Sequence, residues 1–214
     1  HIANAVAGAS VPSLYINMEA ADMNLAESSS ITFGHTATAA SQNMTLSSNQ
    51  PLKNLKVNNA SSNNPQVTME TLALTADTLT IETGATWDAN GLDLTLNGDF
   101  TANGTYTPNG NTTYFSGSVG QQIYGSPQFY KLTKNTSNTL TLNADVTVNN
   151  KLQLESGTLA DGGQTLTAKG NVFMDITHNH TVGGDGIYFN GDAQQTLEGS
   201  GTFGMLTLKN SSGV

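Results

Sequence analysis

The tetrad Ile31-Thr32-Phe33-Gly34 returns as Thr113-Tyr114-Phe115-Ser116-Gly117 and again as Ile187-Tyr188-Phe189-Asn190-Gly191, with the phenylalanines 82 and 74 residues apart. Each copy leads through glutamine to an apolar position, in Gln42-Asn43-Met44-Thr45-Leu46, Gln121-Gln122-Ile123 and Gln194-Gln195-Thr196-Leu197. Each block then closes on a related run, Leu55-Lys56-Val57-Asn58-Asn59, Leu132-Thr133-Lys134-Asn135 and Leu206-Thr207-Leu208-Lys209-Asn210. A second run is duplicated between them. Leu79-Thr80-Ile81-Glu82-Thr83-Gly84 matches Leu152-Gln153-Leu154-Glu155-Ser156-Gly157 at a constant offset of 73 residues. Units recurring in one order are the signature of a stacked array, in which each unit buries its apolar face against the next.

Within a block the apolar positions alternate with Thr, Gln and Asn, as in Val146/Val148, Leu152/Leu154, Leu166 and Val172. A period of two places such aliphatics on one face of a strand. Asn149-Asn150, Ser156-Gly157, Asp161-Gly162-Gly163 and Gly170-Asn171 punctuate the runs where tight turning is needed. The expected fold class is all-β, a parallel β-helix or β-solenoid built from degenerate repeats. At about 20 residues per turn and a rise of about 4.8 Å, roughly ten turns are expected. Tandem β-sandwich modules are the alternative, since a block of 74 to 82 residues is near the size of a small immunoglobulin-like unit. Sandwich strands run longer than these, which favours the solenoid.

The expected organisation is a lead-in or cap over residues 1–28, where a capping role is favoured over the alternative of a short helix around Glu19 to Ala26, followed by an array over 29–214. Its blocks run about 31–112, 113–186 and 187–214, the last incomplete. Lys209-Asn210-Ser211-Ser212-Gly213 matches Lys134-Asn135-Thr136-Ser137-Asn138, which continues into another strand, so the chain is expected to be part of a longer protein or assembly.

Composition narrows the partners. Acids outnumber bases 16 to 7, all seven bases are lysines, and the net charge is -9. Phosphate backbones demand a basic face, so a nucleic-acid partner is not expected. Without arginine, the planar fork that grips carboxylate and phosphate is missing too. There is no cysteine, hence no disulfide, thiolate metal site or cysteine nucleophile. No apolar run is long enough for a membrane span.

Gly98-Asp99-Phe100-Thr101-Ala102-Asn103-Gly104-Thr105-Tyr106-Thr107-Pro108, Tyr114-Phe115-Ser116-Gly117 with Gln122-Ile123, and Leu152 to Gly170 resemble motifs of large secreted surface proteins. These are the Thr/Asn/Gly-rich β-strand repeat regions of giant adhesin-like polypeptides from Bacteroidota and their relatives. The similarity covers about residues 29–214 and departs in the first block, where Ala37 to Ser41 and Asn58 to Pro65 are irregular, and at Met174 to Asp185, where a histidine-containing loop stands instead. It implies an exported, extracellular or cell-surface segment of adhesin, filament or stalk type, with no active site to carry over. The expected function is a non-enzymatic structural or adhesive repeat segment, engaging itself or surface polysaccharide. A glycan-binding module of an extracellular carbohydrate-active protein is the alternative.

Candidate side chains are few, and no cofactor motif is present. His178 and His180 fall on one side of an extended segment, with Asp185 nearby in sequence, a set suited to zinc or copper. Asp88, Asp93 and Asp161 are turn carboxylates, which turn chemistry alone explains. Glu82 and Glu155 occupy equivalent repeat positions; paired carboxylates serve glycoside hydrolysis, but duplication accounts for this pair, and catalysis is not expected. Trp87, Tyr114 and Tyr188 are the aromatic candidates for stacking on sugar rings.

Overall fold

The computed structural model describes residues 13–18, 25–36, 38, 40–60 and 62–214, and all regular structure among them is β. The early turns hold β1 (Ser13–Ile16), β2 (Ser30–Phe33), β3 (Asn43–Ser48), β4 (Leu52–Val57), β5 (Gln66–Met69) and β6 (Leu74–Ile81). The middle turns hold β7 (Thr86–Asp88), β8 (Leu94–Leu96), β9 (Phe100–Ala102), β10 (Thr105–Thr107), β11 (Thr112–Phe115) and β12 (Gln121–Gly125). Two strands of 15 residues follow, β13 (Gln128–Leu142) and β14 (Val146–Ala160). The last turns hold β15 (Thr165–Ala168), β16 (Asn171–Met174), β17 (Thr177–Asn179), β18 (Gly186–Phe189), β19 (Leu197–Glu198) and β20 (Leu206–Leu208).

Every strand pair is parallel, which excludes the tandem sandwich and makes the fold a β-solenoid of about nine turns. At the spacing of neighbouring strands that is a rod roughly 40 Å long. β1 already pairs with β3, so the lead-in segment contributes a strand to the stack. The alternative of a short helix around Glu19 to Ala26 falls largely on residues 19–24, outside the described residues; Leu25 and Ala26 have no regular structure.

The pairings divide the coil into three faces. Face I stacks β1, β3, β5, β7 and β10. Below them it continues through the first residues of β13 and β14 into β15, β18 and β20. Face II stacks the start of β6 on β8, β11, the middles of β13 and β14, β16 and β19. Face III stacks β2, β4, the end of β6, β9, β12, the ends of β13 and β14, and β17. β13 and β14 span all three faces, bending at register shifts after Phe129, Lys134 and Asn135.

Stacking turns period-two patterning into columns that run down the rod. Met44, Val67, Trp87 and Tyr106 form one inward column, and Leu55, Leu79, Phe100 and Ile123 another. All eight are buried. Phe100, Tyr106, Phe115 and Phe129 meet at mid-rod, with ring centroids 5.2 to 6.0 Å apart. At roughly 25 cal/mol per Å² of apolar surface, these continuous columns are the main source of stability.

Polar side chains interrupt the columns at several places, among them Thr113, buried between Leu94 and Leu132. Lys134 stands between Phe115 and Leu154, 1% exposed, and donates from Nζ to the Thr136 carbonyl at 2.6 Å. Burial lowers its pKa. His178 ends the column Gln121, Leu140, Leu159.

The repeat and the turn have different lengths. From Leu79 three turns lead through Phe100 and Ile123 to Leu142 on face III, while the sequence partner of Leu79, Leu152, lies on face II. A block therefore winds about three and two-thirds times. As a result Phe33, Phe115 and Phe189, the same position of the repeated tetrad, are buried on faces III, II and I respectively.

Candidate functional site

The repeated glutamine is structural. Gln121 Oε1 accepts from the Gly117 amide at 2.9 Å, while its Nε2 donates to the Leu96 and Gly98 carbonyls. Gln195 repeats this against Gly191, Ala168 and Gly170. Both are nearly fully buried, and each ties one turn to the next. In the first block Gln42 does not: its Nε2 donates to the Asn43 carbonyl.

The turn carboxylates are also committed to the backbone. Asp93, Asp99, Asp145 and Asp175 accept, respectively, the amides of Thr112, Gln122, Thr165 and Ser200, each one turn further along. Asn171 does the same for Thr196. Asp88 accepts from the Asn90 amide and the Asn109 side chain, both at 2.7 Å. Such bonds satisfy amides that the backbone ladder of the preceding turn leaves without a carbonyl.

The histidine pair does meet a carboxylate, but it is Asp161 and not Asp185. Asp161 Oδ2 accepts from His178 Nε2 at 3.0 Å and from His180 Nδ1 at 2.6 Å. Its Oδ1 accepts the Gly163 and Thr181 amides. Asp185 is exposed on the neighbouring loop, its amide bonded to Thr165 Oγ1. Stacking explains the exchange of partners, because a residue one turn back lies nearer than one a few positions ahead on a diverging loop. Among the described residues no group of three such side chains is placed to hold a metal ion.

Burial alone would raise the Asp161 pKa, but the Thr181 and Gly163 amides and then the two imidazoles outweigh it and hold the carboxyl below its usual range. Burial lowers the pKa of His178 and outweighs its bond to Asp161. The geometry assigns its proton to Nε2, leaving Nδ1 a buried acceptor with no partner.

The aromatic candidates separate. Trp87 is 0% exposed and cannot stack on a sugar. It lies inward between Val67 and Tyr106, as its polar neighbours Thr86 and Asp88 imply for a strand of period two. Tyr114 and Tyr188 are half-buried on the outer surfaces of faces II and I. Tyr106, which was not a candidate, is buried; its hydroxyl bonds to Thr113 Oγ1 and Asn111 Nδ2, and burial pushes its pKa up to about 12.

Glu82 and Glu155 also part company. Glu82 is paired with Lys56 at 2.5 Å and accepts the Asn59 amide. Glu155 is exposed on the rim of a groove of about 470 Å³ across face II, its Oε1 accepting from Gln153. The floor of the groove is the outward row Gln153, Phe173, Glu198, one residue from each of β14, β16 and β19.

No protein-family model, curated protein or solved structure matches this chain. No helix among the described residues is long and apolar enough to cross a membrane.

Proposed function

We propose that this chain is a non-enzymatic structural or adhesive segment of an exported cell-surface or extracellular filament or stalk protein. The observation that carries the reading is where the polar side chains go. The buried glutamines, the turn carboxylates and the Asp161 cluster bind one turn of the coil to the next. They converge on no common reacting position, and their product is a stiff rod whose outer faces are what it offers to neighbours. A net charge of -9 keeps such rods soluble and mutually repelling until a specific contact forms. The similarity of Gly98 to Pro108 and of Leu152 to Gly170 to secreted repeat regions supports an extracellular setting.

An antibody raised against the folded chain tests the reading. It is expected to label intact native cells, or filaments shed by them. Labelling that requires lysis of the cells would overturn it, as would turnover of a polysaccharide that is lost on Glu155→Ala.

A further inference from the structure

We infer that the face II groove over Gln153, Phe173 and Glu198 binds an uncharged or amino-bearing oligosaccharide. The internal duplication supplies the control. Upstream, Thr80, Thr101 and Tyr124 form the corresponding outward row on β6, β9 and β12, with the same parallel register. The two rows sit on equivalent backbones and differ in their outward side chains.

Upstream, the polar groups satisfy one another. Glu82 is held by Lys56 and the Asn59 amide, Thr78 Oγ1 donates to Asn54 Oδ1, and the Tyr124 hydroxyl donates to Gln122 Oε1. Downstream, a phenylalanine stands where the upstream row has Thr101, half-exposed at the centre of a polar groove. The side chains of Lys151 at its edge and Glu198 on its floor have no hydrogen-bond partner among the described residues, and Asp175 uses only Oδ1. Gln153 and Glu155 bond to each other and Asn171 to the Thr196 amide, but an apolar plate flanked by the unengaged Lys151, Glu198 and Asp175 Oδ2 matches a pyranose ring, which presents C–H bonds on its face and hydroxyls around its rim. The volume falls within the roughly 300–1,000 Å³ of small-molecule sites.

Charge selects within the saccharides. Glu155, Asp175 and Glu198 face a single lysine, so uronates and sulfated sugars are repelled, whereas hydroxyl or ammonium donors find acceptors. This inference stands apart from the scaffold reading, since a rod without saccharide affinity is still a rod.

Isothermal titration of the whole chain with a cello-oligosaccharide, a chitosan oligomer and an oligogalacturonate of similar length tests the inference. Saturable binding of at least one of the first two is expected, with none of the third. Phe173→Thr, which installs the upstream residue, should weaken binding at least tenfold, while Tyr188→Ala on face I should leave it within twofold. Circular dichroism melts establish that each variant is folded; should Phe173→Thr melt early, Glu198→Ala takes its place with the same expected loss. No binding of either neutral or amino-bearing probe, a preference for the oligogalacturonate, or binding that survives both variants overturns the site. A null titration leaves the scaffold proposal standing, and labelling confined to lysed cells leaves the groove standing.

Discussion

The corner built by Trp87, Ala89 and Tyr106 and the corner built by Leu159, Asp161 and His178 share one backbone. Trp87 pairs with Tyr106 as Leu159 pairs with His178. The Ala89 amide donates to the Thr107 carbonyl and the Ala89 carbonyl accepts from Leu92, just as Asp161 bonds to Asn179 and Gln164. Both turns use residues of positive φ, Asn90-Gly91 and Gly162-Gly163. Only the filling differs. The upstream corner closes on two large rings and one satisfied hydroxyl, the downstream corner on a leucine and a carboxylate shared by two imidazoles. Turn geometry is thus what the repeat fixes, and apolar volume and a hydrogen-bonded charge are interchangeable ways to fill it.

Truncating the inward side chains should break both corners. Trp87→Ala is expected to cost about 3–5 kcal/mol and Leu159→Ala about 2–5, measured by urea unfolding. A small effect at Trp87 would mean that the upstream corner relaxes around the gap.

Asp161→Ala, which makes the downstream corner resemble the upstream one, should cost about 1–3 kcal/mol by stranding buried donors. Its signature is in pH. His178 has its pKa lowered in the fold, so as pH falls below about 6.5 the unfolded chain takes up that proton first and stability declines. Asp161 is lowered too, so its contribution is present at neutral pH and is lost only as pH falls through the lowered value. Unfolding curves from pH 7 to 3 should show two losses in the parent chain and lack the lower one in Asp161→Ala.

Tyr106→Phe should cost about 1 kcal/mol, with no pH dependence below 8. A pH-dependent loss there would erase the distinction between the corners. Smallest of all is the outer pair. Glu82→Gln breaks a partly exposed ion pair and should cost less than about 1 kcal/mol, and Glu155→Gln should lie within about 0.5 kcal/mol of the parent.

The sequence displayed the solenoid because its two periods are local. Alternation in Val146/Val148 and Leu152/Leu154 set the strands, and Gly157 and Gly162-Gly163 set the turns; Leu166 is buried between outward Thr165 and Thr167, as that pattern requires. The inward position of Trp87, which removes it from the sugar-stacking candidates, is legible in the polar neighbours of Thr86-Trp87-Asp88. Asp161 was not legible as the histidines' partner, because the contact arises from stacking over 17 residues. The groove was hidden for the same reason: Gln153, Phe173 and Glu198 are neighbours only once the length of each turn is known.

Placing the three phenylalanines of the repeated tetrad on three different faces bears on how the chain avoids misfolding. Similar strands stacked directly on one another can exchange partners by slipping one turn. Here a strand meets its own likeness only after more than three turns and on another side of the rod. Mispairing would demand a gross rearrangement where a small slide would otherwise suffice, so the mismatch between repeat and turn acts as a register lock.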